Sequence, residues 1–294
     1  MPEHSCRGRV AALGFFDGVH RGHQAILQKA AGLAAEKGLE SAAVTFENHP
    51  RGYVLGRAPE LIVPFSRRYA LLQQAGAQLV VALTFDRQMA ETAPEEFAAM
   101  LRERYRVETV VCGENYRFGS RAAGTPELLE RLGFETHVVP PVLYGQKPVS
   151  STWIRECVRE GKVGLAHRLL GRPFQLEGPV SHGFQVGRKL GFPTVNVMPE
   201  AGMLLPRRGV YVTEVALEQG VWRAVTNVGS RPTFTDADIV SVESYLLDFS
   251  GDLYDKAVQV RFLKYLRPEK SFANGDALRE QISRDVQSAL AWRG

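Results

Sequence analysis

Phe15-Phe-Asp-Gly-Val-His-Arg-Gly-His-Gln-Ala-Ile-Leu27 decides how the first half of this chain folds. It follows Val10-Ala-Ala-Leu13, an apolar run of strand length. It precedes Ile26, Leu27, Ala30, Ala31 and Ala34, which recur at helical spacing. The segment from Gly14 to Gly22 is therefore expected to be a glycine-bearing turn between a first strand and a first helix. Such a turn lets a phosphate approach the backbone and meet the N–H groups of the helix start. Gly14, Phe15, Asp17 and Gly22 are its candidate nucleotide-binding positions. His20 and His23 lie three residues apart, so helical geometry can turn both rings to one side. Two imidazoles over an amide-lined pocket suit the charge that develops when a nucleotide phosphorus is attacked. The plainer reading is a tight turn with two exposed histidines; the strand before it, the helix after it and the Phe-Asp-Gly lead-in count against that.

Outward from the turn, short apolar runs alternate with helical patterns. Strands are expected over 10–16, 41–46, 79–85, 109–112 and 135–139, and helices up to Lys37 and over 67–75, 94–105 and 126–132. In the 67–75 helix, Tyr69, Leu71 and Leu72 are available for burial. The alternation predicts an α/β domain, a doubly wound parallel sheet with ligands beyond the carboxyl ends of its strands. Polar motifs do follow the strands. His49 sits in Phe46-Glu-Asn-His-Pro50, as a ligand contact or as a loop residue packed by proline. Gly113-Glu-Asn-Tyr-Arg-Phe-Gly119 offers Asn115 to a polar ring edge, Arg117 as a cation, and Tyr116 or Phe118 to an aromatic face. In Val149-Ser-Ser-Thr-Trp-Ile-Arg155, Ser150 or Ser151 can cap a helix, while Ser151, Thr152 and Arg155 can hold a triphosphate.

Near Gly171 the helical alternation stops. Short runs over 174–180, 194–197, 210–216, 221–228, 240–249 and 257–263 predict a small antiparallel β-barrel. Leu278, Ile282, Val286 and Leu290 predict a closing helix whose apolar stripe packs on it. The expected domains are 1–164 and 165–294. Between the first two barrel strands, Gly183, Gly187, Arg188 and Lys189 make a phosphate-friendly loop. Thr194 and Asn196 share a strand face, where a hydroxyl and an amide oxygen can hold a nucleotide-bound Mg²⁺. Glu243 lies on a strand whose neighbours are apolar, so it reads as a partly buried carboxylate able to accept a proton; the alternative is a strand-edge glutamate in a salt bridge.

The totals agree with this picture. A chain of 294 residues suggests about two domains. A net charge of +4 with a pI near 9.0 is too mild and too evenly spread to argue for nucleic acid, and fits small anions. Cys6, Cys112 and Cys157 are far apart, form no metal or disulfide spacing, and point to a reducing cytoplasm. The N-terminus lacks an apolar signal core, and no apolar run reaches the ~18 residues of a membrane span.

On these motifs the first half resembles the adenylyltransferase module of bacterial bifunctional riboflavin kinase/FAD synthetases. The residues that carry it are His20-Arg-Gly-His23, Gly113–Gly119 and Ser150-Ser-Thr-Trp-Ile-Arg155. Gly191-Phe-Pro-Thr-Val-Asn196, Asn227-Val-Gly-Ser-Arg-Pro-Thr233 and Leu263-Lys-Tyr-Leu-Arg267 resemble the riboflavin kinase module. The resemblance implies ATP, riboflavin, FMN and FAD as partners, Mg²⁺ with ATP, Asn227 among the nucleotide- and flavin-binding residues, and Glu243 as base. It leaves self-association open. Asn115 stands where many members have Asp, Asn48 where they have Pro, Thr125 where an acidic residue is common, Val195 where they have Ala, and Tyr245 where they have His. Two alternatives stay open: a nucleotidyltransferase with another acceptor, and a catalytically inactive flavin-binding regulatory protein.

Overall fold

The computed structural model describes residues 8–181, 192, 194–231 and 239–293. The chain falls into two compact units, Met1–Ser151 and Thr152–Gly294.

The first unit is built on β1 (Arg9–Leu13), β2 (Glu40–Phe46), β3 (Leu79–Leu83), β4 (Val107–Gly113) and β5 (Glu135–Val139). These pair in parallel in the order β3-β2-β1-β4-β5. Central β1 is buried along its whole length, as a strand covered on both faces must be. Ala11 and Leu13 join Ala42, Val44, Phe97, Leu101, Val110 and Leu129 on one side. Val10 and Ala12, on the opposite face, are buried as well. Six helices connect the strands: α1 (Arg21–Lys37), α2 (Pro50–Leu55), α3 (Phe65–Gln74), α4 (Arg87–Glu91), α5 (Pro94–Glu103) and α6 (Pro126–Arg131). The α1 helix stops where Gly38 adopts a left-handed φ of 66° and returns its N–H to Ala34. The order of strands reverses direction between β1 and β4, so the loops after these two strands open a crevice.

Three local expectations change. The first strand ends at Leu13 rather than at residue 16, because Phe16, Gly18 and Val19 take φ values of 57°, 79° and 38°. Leu71 and Leu72 are buried as expected, but Tyr69 is 37% exposed and Arg68, at 0%, turns inward instead. The short α2 and α4 have no buried residue and are set by their caps, His49 and Asp86. A small hairpin, β6 (Leu143–Tyr144) with β7 (Lys147–Pro148), precedes the Ser150-Ser-Thr segment.

The helices α7 (Ser151–Arg159) and α8 (Val163–Leu170) follow, and α8 packs on the barrel strands β8 (Phe174–Ser181) and β13 (Ala257–Arg267). The 164/165 boundary read from the sequence falls inside α8. The barrel is completed by β9 (Thr194–Val197), β10 (Gly209–Leu217), β11 (Gly220–Arg231) and β12 (Ile239–Leu246), closed in the order β10-β11-β12-β9-β8-β13. Tyr211, Thr213 and Val215 fill the interior at 0% exposure. Thr213 Oγ1 meets Thr226 Oγ1 at 2.7 Å, and Thr226 Oγ1 meets Ser244 Oγ at 2.8 Å, a buried hydroxyl chain across β10, β11 and β12. On the outer face Val210, Val212 and Val225 are covered by α9 (Gly275–Ala291) through Val286 and Ala289. Leu290 does not follow the predicted stripe and is 50% exposed. Each four-residue step overshoots a full helical turn by about 40°, so the stripe drifts off the barrel and Asp285 and Ala289 take the inward places.

Candidate functional sites

The turn after β1 is held from several sides. Asp17 is 3% exposed, and its carboxylate accepts from the Ile62 N–H at 3.0 Å. A side chain at Gly18 would meet Ile62 at 3.1 Å. Ser151 Oγ donates to the Asp17 carbonyl at 2.9 Å, tying the Ser-Ser-Thr segment to the turn. Positive φ at Phe16 and at the β-branched Val19 is sterically costly, and these contacts hold it.

His20 caps α1: its Nδ1 accepts from the His23 N–H at 3.3 Å. The two rings stack with centroids 3.6 Å apart, and the His23 ring stands edge-on to Phe16 at 5.3 Å. Any side chain at Gly22 would come within 3.1 Å of the His20 ring. The first turn of α1 carries no acidic residue, so no carboxylate of its own first turn offsets the partial positive charge of the helix N-terminus. The predicted pairing of the two histidines is thus realised, with His20 largely buried rather than exposed.

Beyond the carboxyl ends of β1–β4 lies a cavity of about 950 Å³. Gly14, Phe15, Phe46, Asn115, Arg117 and Phe118 are among its walls. Asn115 and Arg117 are exposed, and Tyr116 stacks on Phe118 at 5.8 Å. His49 caps α2 by accepting from the Arg51 N–H at 3.1 Å, and its ring lies 4.4 Å from that of Phe15. Asn48 bridges the β2 and β3 loops, donating to the Phe85 carbonyl and accepting from its N–H, both at 2.8 Å. Thr125 caps α6. Thr152 is exposed at the start of α7 and Arg155, one turn on, is buried.

Arg68 escaped the sequence reading. Its guanidinium reaches the carbonyls of Phe15 at 3.2 Å, Phe46 at 2.6 Å and Glu47 at 2.9 Å, and lies 4.1 Å from the Phe15 ring centre. Burial pulls it down to about 10, an effect that nearby Asp17 opposes. The available signal was an arginine at the i position of an i, i+3, i+4 set with Leu71 and Leu72, on the face a helix buries.

The second constellation lies on the outer face of the barrel. Asn227, Glu243 and Asn196 face one another across β11, β12 and β9, and Thr194 sits opposite Tyr245 two residues along. Glu243 is half-buried; Asn196 is buried, and its Oδ1 has no hydrogen-bond partner among the described residues. A buried amide oxygen without a donor is costly unless a ligand meets it. Together with the Thr194 hydroxyl it makes a sparse oxygen set that fits Mg²⁺ carrying nucleotide phosphates. A cavity of about 350 Å³ is lined by Thr194, Asn227, Glu243, Tyr245, Arg267 at the end of β13 and Phe272 beyond it. Arg267 holds the end of β13 to α9 through a bidentate pair with Asp285, Nη2 to Oδ2 at 2.8 Å and Nε to Oδ1 at 3.1 Å. Thr194 also lines a second cavity, of about 570 Å³, with Val195, Phe249, Asp252 and Tyr254. Gly183, Gly187, Arg188 and Lys189 lie outside the described residues.

Comparison with known proteins covers both units. A FAD synthetase family model matches residues 3–153 and a riboflavin kinase model matches 170–293. The bifunctional riboflavin kinase/FMN adenylyltransferase of Pseudomonas fluorescens is 37% identical, over 99% of this chain and 94% of that one. The Escherichia coli K12 protein of the same name is 34% identical, over 100% and 94%. A solved structure described as a macrolide-efflux protein from Streptococcus pneumoniae superposes with a TM-score of 0.92 at 31% identity, over 99% of this chain and 96% of that one. Among the described residues of this chain no helix is long and apolar enough to cross a membrane. With a turn that pairs two histidines at a helix start, a rung of Asn227, Glu243 and Asn196 on a six-stranded barrel, and relatives matched almost end to end, the chain belongs to the bifunctional riboflavin kinase/FMN adenylyltransferase family.

Proposed function

We propose that the barrel unit transfers the ATP γ-phosphoryl to riboflavin, giving FMN, and that the sheet unit transfers AMP from a second ATP to FMN, giving FAD and pyrophosphate. The observation that carries the first half is the double position of Thr194, on the wall of two cavities at once. The cavity with Glu243 and the aromatic side chains suits the flavin, and the other suits the nucleotide, so the phosphoryl group would cross beside Thr194. Glu243 accepts the proton of the attacking hydroxyl. Thr194 and Asn196 would hold Mg²⁺, which supplies charge neutralisation on the phosphates. Asn227, opposite Glu243 in the strand pairing, orients that carboxylate and the substrate.

In the sheet unit the FMN phosphate attacks the α-phosphorus of ATP, and the bond to pyrophosphate breaks. No protein nucleophile is required. His20 and His23, with the first amides of α1, stabilise charge on the reacting phosphates. Ser151, Thr152 and Arg155 hold the triphosphate. Gly14, Phe15 and Asp17 shape the turn, and Asn115 and Arg117 address the flavin side of the cleft. We place the end of the sheet module near residue 164 and the enzyme in the cytoplasm, in keeping with Cys112 and Cys157, which are buried and not joined in a disulfide.

A time course with riboflavin, ATP and Mg²⁺ tests both halves. FMN should appear first and FAD after it. FMN that never becomes FAD would refute the acceptor assigned to the sheet unit. Untouched riboflavin together with conversion of added FMN would refute the barrel assignment.

A further inference from the structure

Arg68, at 0% exposure, is the most deeply buried charged residue among those described. Desolvating a guanidinium is expensive, and a well-packed apolar side chain serves stability alone at least as well. What an apolar residue cannot do is bind three carbonyl oxygens at once. Arg68 gathers one from the loop after β1, Phe15 O, one from the last residue of β2, Phe46 O, and one from the residue after it, Glu47 O. Thr45 Oγ1 donates to the same Phe15 carbonyl at 3.0 Å. The Phe15 ring, over which the guanidinium lies, is in turn packed by His49 and forms part of the large cleft. Asp17, two residues on, anchors to Ile62 just before α3, the helix that carries Arg68. The turn bearing His20 and His23 is therefore entered through two fixed points, Phe15 and Asp17.

We propose that Arg68 is a positioning residue for adenylyl transfer. It touches no reacting atom; it fixes where the turn after β1 leaves the sheet, and so the height of His20 and His23 over the cleft. The proposal rests on the reading of that turn as the adenylyl-transfer site.

The test uses the full chain, with R68M, R68K and H23A compared for FMN-to-FAD and riboflavin-to-FMN turnover. R68M keeps length and bulk but offers no donor. R68K restores three N–H donors for three carbonyls. For FAD formation R68M should lose about 10²-fold in kcat, the scale of a misplaced catalytic group, with KM for ATP and FMN changed far less. R68K should recover most of the loss. Phosphorylation of riboflavin by the same preparations should stay unchanged, which certifies the barrel unit, and the thermal melt gives the folded fraction of the sheet unit. R68M with wild-type kcat per folded molecule would overturn the proposal, as would a loss fully explained by unfolding or one that R68K fails to relieve. If H23A retains full FAD formation, it is the reading of the turn itself that fails.

Discussion

In the function proposed above, the two constellations meet the same demand, holding charge around a phosphate, with opposite architecture. The one after β1 is local. His20 and His23 lie in a single turn, and strained backbone at Phe16 and Val19 aims them. The one on the barrel is distributed. Asn227, Glu243 and Asn196 come from three strands, each in ordinary extended backbone, and only strand pairing brings them together. A local site depends on the contacts that hold one strained segment. A distributed site depends on the alignment of the sheet that carries it.

The largest expected effect is at Glu243. E243Q preserves shape but cannot accept a proton, and riboflavin phosphorylation should fall by about 10²–10⁴-fold, while conversion of added FMN to FAD continues. H23A should show the mirror image, with FAD formation down by about 10²–10³-fold and riboflavin phosphorylation intact. If either variant impaired both reactions, the two sites would not be separate machines. D285A leaves Arg267 without its bidentate partner at a site where Asp285 is 5% exposed. It should destabilise the barrel by about 3 kcal/mol, read from denaturant unfolding, and raise the KM for riboflavin without touching the sheet unit. The smallest effect separates the architectures most finely. G22A brings a methyl group to 3.1 Å from the His20 ring and should cost about tenfold in FAD formation. An added methyl at Ser241, one alternation further along β12, has no such lever on Glu243 and should leave phosphorylation within about twofold.

The same contrast explains what could be read from the amino-acid sequence. The local site was legible because its signals are adjacent: an apolar strand, glycines, two histidines three apart, and a helix stop at Lys37-Gly38 that the structure keeps. The barrel strands were legible from spacing, and the Thr194–Asn196 alternation from a two-residue period. The opposition of Glu243 to Asn196 and Asn227 was not, because cross-strand partners are set by tertiary pairing. Arg68 was hidden for a related reason: a cation inside a helix repeat reads as surface until the carbonyls that receive it are known. The short α2 and α4 bury nothing and so leave no apolar pattern to detect. Leu290 misled in the other direction, since a four-residue repeat resembles a stripe locally but winds away from its partner over seventeen residues.

The chain of hydroxyls from Thr213 through Thr226 to Ser244 has a bearing on the barrel's chemistry although it faces away from it. Neighbouring residues on a strand point to opposite sides, so Thr226 is bound by geometry to Asn227, and Ser244 to Glu243. A slip of one residue between β11 and β12 would break the hydroxyl contacts and strand polar groups in a dry interior, which is far costlier than losing a surface contact. The interior thus acts as a lock with a single key position, and the outer rung inherits its alignment from it. Selection for activity on the outside of this barrel would then preserve small polar residues on the inside that never meet a substrate.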